Sequence, residues 1–219
     1  ITAKPLTAVT NSASLTKVYN GSPLASSDIS GITLDGVVAE DSANIKAEAT
    51  LTEAPSESNA GSYEGLSYTI ALAAGDSGDA TANYTLSNPS EHQITGIIEP
   101  AALSGTVNIK KGENAVGNGG AVSVGDELTV EAPANTGAVY EYEWLVGSDS
   151  RGEASSSNTS YIVDVGDAGK TIQVKVTDSS GNYTPTALES EATAAVGAKE
   201  FTASAITISD EALVYRSEE

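Results

Sequence analysis

The sequence predicts an all-β chain of two tandem antiparallel β modules, and three observations predict it. Apolar residues recur at every second position in runs of about four to eight, the period of a half-buried strand. Those runs are broken at short intervals by Gly, Asn, Asp and Ser, the residues that make turns, and almost nothing carries a helical period. A junction pattern also recurs: Ile1-Thr-Ala-Lys-Pro-Leu-Thr7 is echoed at Ile98-Glu-Pro-Ala-Ala-Leu103, which is how modules in series look. The expected division is residues 1–100, residues 101–198, and residues 199–219 as the start of a further module or a tail. The last boundary is drawn at Val196-Gly-Ala-Lys-Glu-Phe201.

Taken in order, the first module opens with turn signals at Asn20-Gly21 and Asp35-Gly36. Both dipeptides accept a positive φ and suit two-residue hairpins. Between them a short helix is expected around Pro23 to Ile29, with Ser26, Ser27 and Asp28 available to cap one turn. Ile45 to Thr52 is the clearest strand, with Ile45, Ala47, Ala49 and Leu51 on one face and Lys46, Glu48, Thr50 and Thr52 on the other. Leu66 to Leu72 follows the same rule with Leu66, Tyr68, Ile70 and Leu72 inward, and Gly65 ahead of it is placed for a bulge or a tight entry. Pro100 cannot donate to a ladder and holds its predecessor extended, so a short, stiff linker is drawn there.

In the second module, Val139 to Leu145 puts Tyr140, Tyr142 and the only tryptophan, Trp144, on one face, with Glu141 and Glu143 on the other. Thr171 to Thr177 presents Ile172, Val174 and Val176 inward. Two inner faces of this kind make a sandwich. Asp167-Ala-Gly-Lys170 stands where a corner between strands is needed.

Composition excludes several functions. Thirty Asp and Glu against ten Lys and Arg give a formal charge of −20, so nucleic-acid binding is not expected, because Lys and Arg supply most of that affinity. No run approaches the roughly 20 apolar residues that span a bilayer. Cysteine is absent, which removes disulfides, thiolate nucleophiles and thiolate zinc sites. The single histidine, His92, has no nucleophile elbow to serve and reads as a surface or strand-edge residue. The lack of methionine throughout is read as that of a segment excised from a longer protein.

Lys17-Val-Tyr-Asn-Gly21, Asn59-Ala-Gly-Ser-Tyr63 and Asn83-Tyr-Thr-Leu86, closed by Ile94-Thr-Gly-Ile-Ile-Glu-Pro100, resemble the MBG and YDG type repeat modules of bacterial cell-surface proteins. Asn20 stands where that family commonly has Asp. The resemblance implies either a small β-sandwich or a β-grasp-like module. The Tyr-x-Trp strand, the Ser160-Tyr-Ile-Val-Asp164 strand, the Asp-x-Gly-Lys corner, the strand Thr171 to Thr177 and Gly181-Asn-Tyr-Thr184 are similar to bacterial immunoglobulin-like surface domains. Without a cysteine pair, packing around Trp144 must replace the bridge that antibody domains use.

These resemblances imply structural stalk or adhesion modules of a large bacterial cell-surface protein, extracellular and non-catalytic. Two alternatives stand beside them: a glycan- or mucin-binding module, and an accessory region of a secreted polysaccharide-degrading enzyme. The partners expected are neighbouring modules of the same polypeptide and, for the adhesive readings, host or dietary glycans. No catalytic, cofactor-binding or metal-ligating residue is assigned. Glu141 and Glu143 lie side by side on one strand face and read as a solvated outer face rather than a glycosidase pair, screened by Lys175 or Lys170. No cofactor is expected; calcium is the one cation weighed, since Asp76, Asp79, Asp126, Asp164, Asp167 and Asp178 fall in loops, but their spacing fits turns and caps better. Tyr63, Tyr161 and Tyr183 are the residues that could form a glycan platform. Lys17, Lys46, Lys110 and Lys175 are the amines available to a self-formed Lys–Asn bond, with Lys46 and Lys175 outside by parity.

Overall fold

The structure, a computed structural model, describes residues 2–199. Every regular element among them is a β-strand or a single 3-10 turn. The described residues divide into two compact units, the first made of residues 2–105 with 133–141 and 177–188, the second of 106–132, 142–176 and 189–199.

The first unit carries eight strands: β1 (Lys4–Val9), β2 (Ser14–Val18), β3 (Ile29–Ser30), β4 (Thr33–Asp35), β5 (Ile45–Leu51), β6 (Gly61–Ala74), β7 (Tyr84–Leu86) and β8 (His92–Glu99). They form a five-stranded sheet in the order β3-β2-β8-β6-β5 and a three-stranded sheet in the order β4-β1-β7. Alternation sets the packing. On β5, Ile45 and Leu51 are buried while Lys46, Glu48 and Thr50 face solvent, and Tyr68 and Ile70 point inward from β6. Ala8 of the smaller sheet packs with Leu15, Tyr68, Ile70 and Ile98 of the larger one, so two sheets share a core. No α-helix occurs among the described residues, and the module is all-β.

β1 and β2 belong to one bent segment, joined by the turn Thr10–Ala13, where the Ala13 N–H donates to the Thr10 carbonyl at 2.9 Å. β1 pairs antiparallel with β4 (Val9↔Thr33) and β2 antiparallel with β3 (Ser14↔Ser30), so the segment 7–15 runs alongside 29–35 while passing from one sheet to the other. Gly31 sits at the crossing with φ +77°, and a Cβ there would lie 2.0 Å from the Ser12 carbonyl oxygen; only glycine fits. The same bent segment also pairs in parallel, β1 with β7 and β2 with β8. β6 is bulged between Tyr63 and Leu66, and Gly65 adopts φ +74° there, as its position predicted.

Three local expectations change. Asn20-Gly21 and Asp35-Gly36 are turns, with both glycines at positive φ, but neither closes a two-residue hairpin. After Asn20-Gly21 the chain returns to β2 only at β3, past the loop 19–28, and after Asp35-Gly36 it leaves β4 for β5 in the other sheet. The helix around Pro23 to Ile29 is only the 3-10 turn Ser26–Asp28. Its cap is Asp28, which accepts from the Ala25 N–H at 2.9 Å, while Ser26 Oγ accepts from the Leu51 N–H at 2.9 Å and ties the turn to β5.

The second unit is built on β9 (Asn108–Lys111), β10 (Asn114–Ala115), β11 (Glu127–Glu131), β12 (Tyr140–Val146), β13 (Asp149–Ser150), β14 (Ser160–Ile162), β15 (Ile172–Asp178) and β16 (Leu188–Glu189). Their sheets run β10-β9-β11-β14 and β13-β12-β15-β16. Ile109, Leu128, Val163, Ile172, Val174 and Val176 are buried, and Trp144 is 3% exposed. Trp144 of β12 stacks on Tyr161 of β14, rings 5.6 Å apart, which joins the two sheets. Past β16 the chain keeps to β15 through side chains: Ser190 Oγ accepts from the Val174 N–H and Thr193 Oγ1 from the Ile172 N–H. Val196 and Gly197 still donate within this unit, to the carbonyls of Lys170 and Val122. The expected further module or tail lies, beyond Lys199, outside the described residues.

Candidate functional site

The most concentrated chemistry in the second unit surrounds Asp167. Asp164 starts the 3-10 turn Val165–Asp167 and accepts from the Gly166 N–H at 2.9 Å, which turns the Asp167 carboxylate back under the chain, where it is fully buried. One oxygen, Oδ1, meets the Arg151 guanidinium at 2.5 Å. The other accepts from the Tyr161 hydroxyl at 2.5 Å and the Asp164 N–H at 2.9 Å. Burial by itself pushes the Asp167 carboxyl up, but the Tyr161, Asp164 and Arg151 donors outweigh it and hold it below the usual carboxylate range. Burial, followed by the bond to the Asp167 carboxylate, pushes the Tyr161 phenol up to about 12. At neutral pH the carboxylate is therefore ionised and the phenol protonated. This is a brace that orients the stacked Trp144–Tyr161 pair, not a proton-transfer site.

The other candidates fall apart from one another. Lys175 does screen Glu143, at 3.7 Å, whereas Lys170 turns to Asp149, also at 3.7 Å. Glu141 and Glu143 are half-buried rather than fully solvated, because β12 is flanked by β13 and β15. The loop aspartates are used by the backbone: Asp79 accepts from the Thr81 N–H, Asp126 from Ser123, and Asp178 from Val139 and Ser180. No group of three or more potential ligands that could hold a metal ion occurs among the described residues. Of the tyrosines weighed as a platform, Tyr63 hydrogen-bonds the Asn59 carbonyl, Tyr161 belongs to the brace, and Tyr183 packs edge-on against Tyr19 and donates to the Thr136 carbonyl.

The four lysines each meet a carboxylate: Lys17 with Asp28, Lys46 with Asp76, Lys110 with Glu131 and Lys175 with Glu143. Glu131 also accepts from Asn108 Nδ2 at 3.1 Å, which assembles lysine, asparagine and acid. The Lys110 and Asn108 bonds hold that carboxyl below its usual range, so it lacks the proton that amide exchange would need. His92 opens the central strand β8, half-buried and stacked on Tyr68 at 5.3 Å, rather than sitting on an edge strand.

Surface hollows in the first unit differ in charge: one is lined by Ile32 to Leu34 with Lys46 as its charged residue, and another carries Lys4 and Asp41. A third, of about 400 Å³, is lined by Thr52 to Glu57 and Gly65 to Ser67; beside it Glu91 accepts from Thr52 and Ser67, bonds that hold its carboxyl below the usual range. None of these groups is aimed at the hollow as a poised acid, base or nucleophile.

One structural echo was not read from the sequence. Ala101, which follows Pro100 as Leu6 follows Pro5, bridges in parallel to Tyr183 of Asn182-Tyr-Thr184. Lys4 and Pro5 pair in parallel with Tyr84 and Thr85 of Asn83-Tyr-Thr85. The repeated junction thus carries a repeated partner, and the two Asn-Tyr-Thr segments were its signal. Residues 2–93 match the family model of the YDG domain. The first module is therefore a YDG-type module. The matched span runs from β1 into β8 and includes the Lys17–Gly21, Asn59–Tyr63 and Asn83–Leu86 motifs. Neither the curated proteins nor the solved structures yield a match. In the YDG-type module, Tyr19 and Tyr84 are the buried rings of the first and third motifs, and Tyr84 also donates to Asp41 at 2.9 Å, closing the loop before β5.

Proposed function

We propose that this chain is a pair of non-catalytic spacer modules from a large bacterial cell-surface protein, holding other parts of that protein away from the cell and contributing at most weak adhesion. The observation that carries the reading is the YDG-type module itself, with its repeating junction at Pro100. Surface charge supports it: at −20, neighbouring copies repel and stay soluble. The second sandwich is read as bacterial immunoglobulin-like. With β9, β11 and β14 taken as strands A, B and E, and β13, β12, β15 and β16 as C′, C, F and G, the two sheets follow the order of that fold. Trp144 on C packs where a disulfide would otherwise lie.

A glycan and mucin array probed with the purified chain, with and without calcium at near-physiological salt, tests the reading. A blank array from folded protein is expected. A dose-dependent hit lost on changing an exposed side chain would instead make this a carbohydrate-binding module.

A further inference from the structure

We propose that the YDG-type module is a mechanical clamp, built so that tension along the chain loads its terminal strands in shear. The placement of four strands carries the inference. β1 and β2, joined by the turn Thr10–Ala13, each run beside a late strand of the module: Lys4 beside Tyr84 and Leu6 beside Leu86 in the small sheet, Leu15 beside Gly96 and Val18 beside Glu99 in the large one, both in parallel. Between the two ladders the contact is continued by one further backbone bond and by the Asn88 side chain. The Ser87 N–H donates to the Leu6 carbonyl at 2.8 Å, the Ala8 N–H donates to Asn88 Oδ1 at 2.8 Å, and Asn88 Nδ2 donates back to the Ala8 carbonyl at 2.9 Å. Beyond β2 the Tyr19 N–H donates to the Glu99 carbonyl at 2.8 Å.

The consequence is geometric. Because the first and last strands run the same way, the module is entered at one end of the ladder and left at the other. Pulling its two ends apart draws the strands past each other along their own axes, and the ladder bonds, which cross between strands, must yield together. Had the terminal strands been antiparallel, the same pull would open them one bond at a time. Apolar burial stiffens the slide: Leu6, Leu15 and Ile98 are essentially inaccessible, and Gly96 lets Leu15, Leu24 and Leu66 close over β8, where a Cβ would lie 2.4 Å from Leu24 Cδ1. Sliding by one residue would turn each of these side chains to the opposite face.

The biological use of such a clamp rests on the spacer reading; the force response does not. The chain has no cysteine, so pairs of cysteines at exposed sites give unique handles in the full chain. Thr2→Cys with Ala102→Cys pulls in shear. Thr2→Cys with Ala82→Cys peels the same β1–β7 bonds from their open end. Single-molecule pulling at equal loading rate, where forced unfolding reads the unfolding barrier, is expected to give a rupture force at least about twofold higher in the first geometry than in the second. Asn88→Ala in the first pair is expected to lower that force, and in the second pair to leave the initial rupture unchanged. Equal forces in the two geometries, or no response to Asn88→Ala in the shear geometry, would overturn the clamp while leaving the spacer reading standing. A glycan hit on the array would remove the spacer reading while leaving the force ratio as it is.

Discussion

Two side chains bear most of the second unit's specificity, and they differ in how visible they were. Trp144 was legible: a lone tryptophan in strict alternation has one place to go, and it is buried with its indole N–H on the Asn158 carbonyl at 2.9 Å. Trp144→Ala should cost about 3 to 5 kcal/mol, read as a lower urea midpoint with an unchanged slope; coincident melts of mutant and parent would remove it from the core. The Asp167 brace was not legible, because Arg151 comes from the loop after β13, Tyr161 from β14 and Asp167 from a 3-10 turn, and no spacing marks them. Its carboxyl is held below the unfolded value, so its contribution is present above the unfolded pKa and is lost as pH falls through the folded one. Asp167→Asn should cost about 2 to 4 kcal/mol at pH 7 by leaving buried donors unmatched, and the difference from the parent should shrink as pH falls below about 4. Denaturant midpoints between pH 7 and pH 2.5 measure this, and a difference independent of pH would show that Asp167 is not the ionised partner.

Among the elements, strands with one wet face were read well from period alone, since Ile45 to Leu51 and Leu66 to Leu72 place each residue as expected. Pairing was not, and the reason is physical. Alternation names the buried face of a strand but not its neighbour, so the parallel β1–β7 and β2–β8 ladders, formed by residues about eighty apart, left no local trace. The same blindness produced the two hairpins that do not form. The glycines at irregular points test this account of the bend and the bulge separately. Gly31 has a positive φ and no room, with backbone 2.0 Å from its virtual Cβ, whereas Gly65 has a positive φ and open space. Gly31→Ala should therefore cost about 3 kcal/mol or more from strain and overlap together, and Gly65→Asn about 1 kcal/mol or less, since asparagine tolerates this conformation. Thermal melts of the two variants would rank them; a Gly65→Asn loss equal to that of Gly31→Ala would refute the assignment of crowding to the crossing.

At the level of the whole molecule, charge is the dominant long-range fact and the one the sequence stated outright. Seven ion pairs occur among the described residues, six of them with a partner whose side chain is substantially exposed or on the rim, and exposed pairs contribute about 0 to 1 kcal/mol each. They are too few and too weak to balance thirty acidic residues against ten basic ones. Self-repulsion should therefore win, and it acts over a screening length that shrinks from about 30 Å at 0.01 M salt to about 8 Å at 0.15 M. Raising sodium chloride across that range should raise Tm, although it weakens the ion pairs. The identity of the cation separates screening from binding. Asp79, Asp126, Asp164, Asp167 and Asp178 are already engaged by backbone N–H groups and Asp76 by Lys46, so calcium chloride and sodium chloride at equal ionic strength should give the same Tm. A larger shift with calcium would reveal a site that the folded backbone does not preform, and a fall in Tm with sodium chloride would show that attraction, not repulsion, governs this surface.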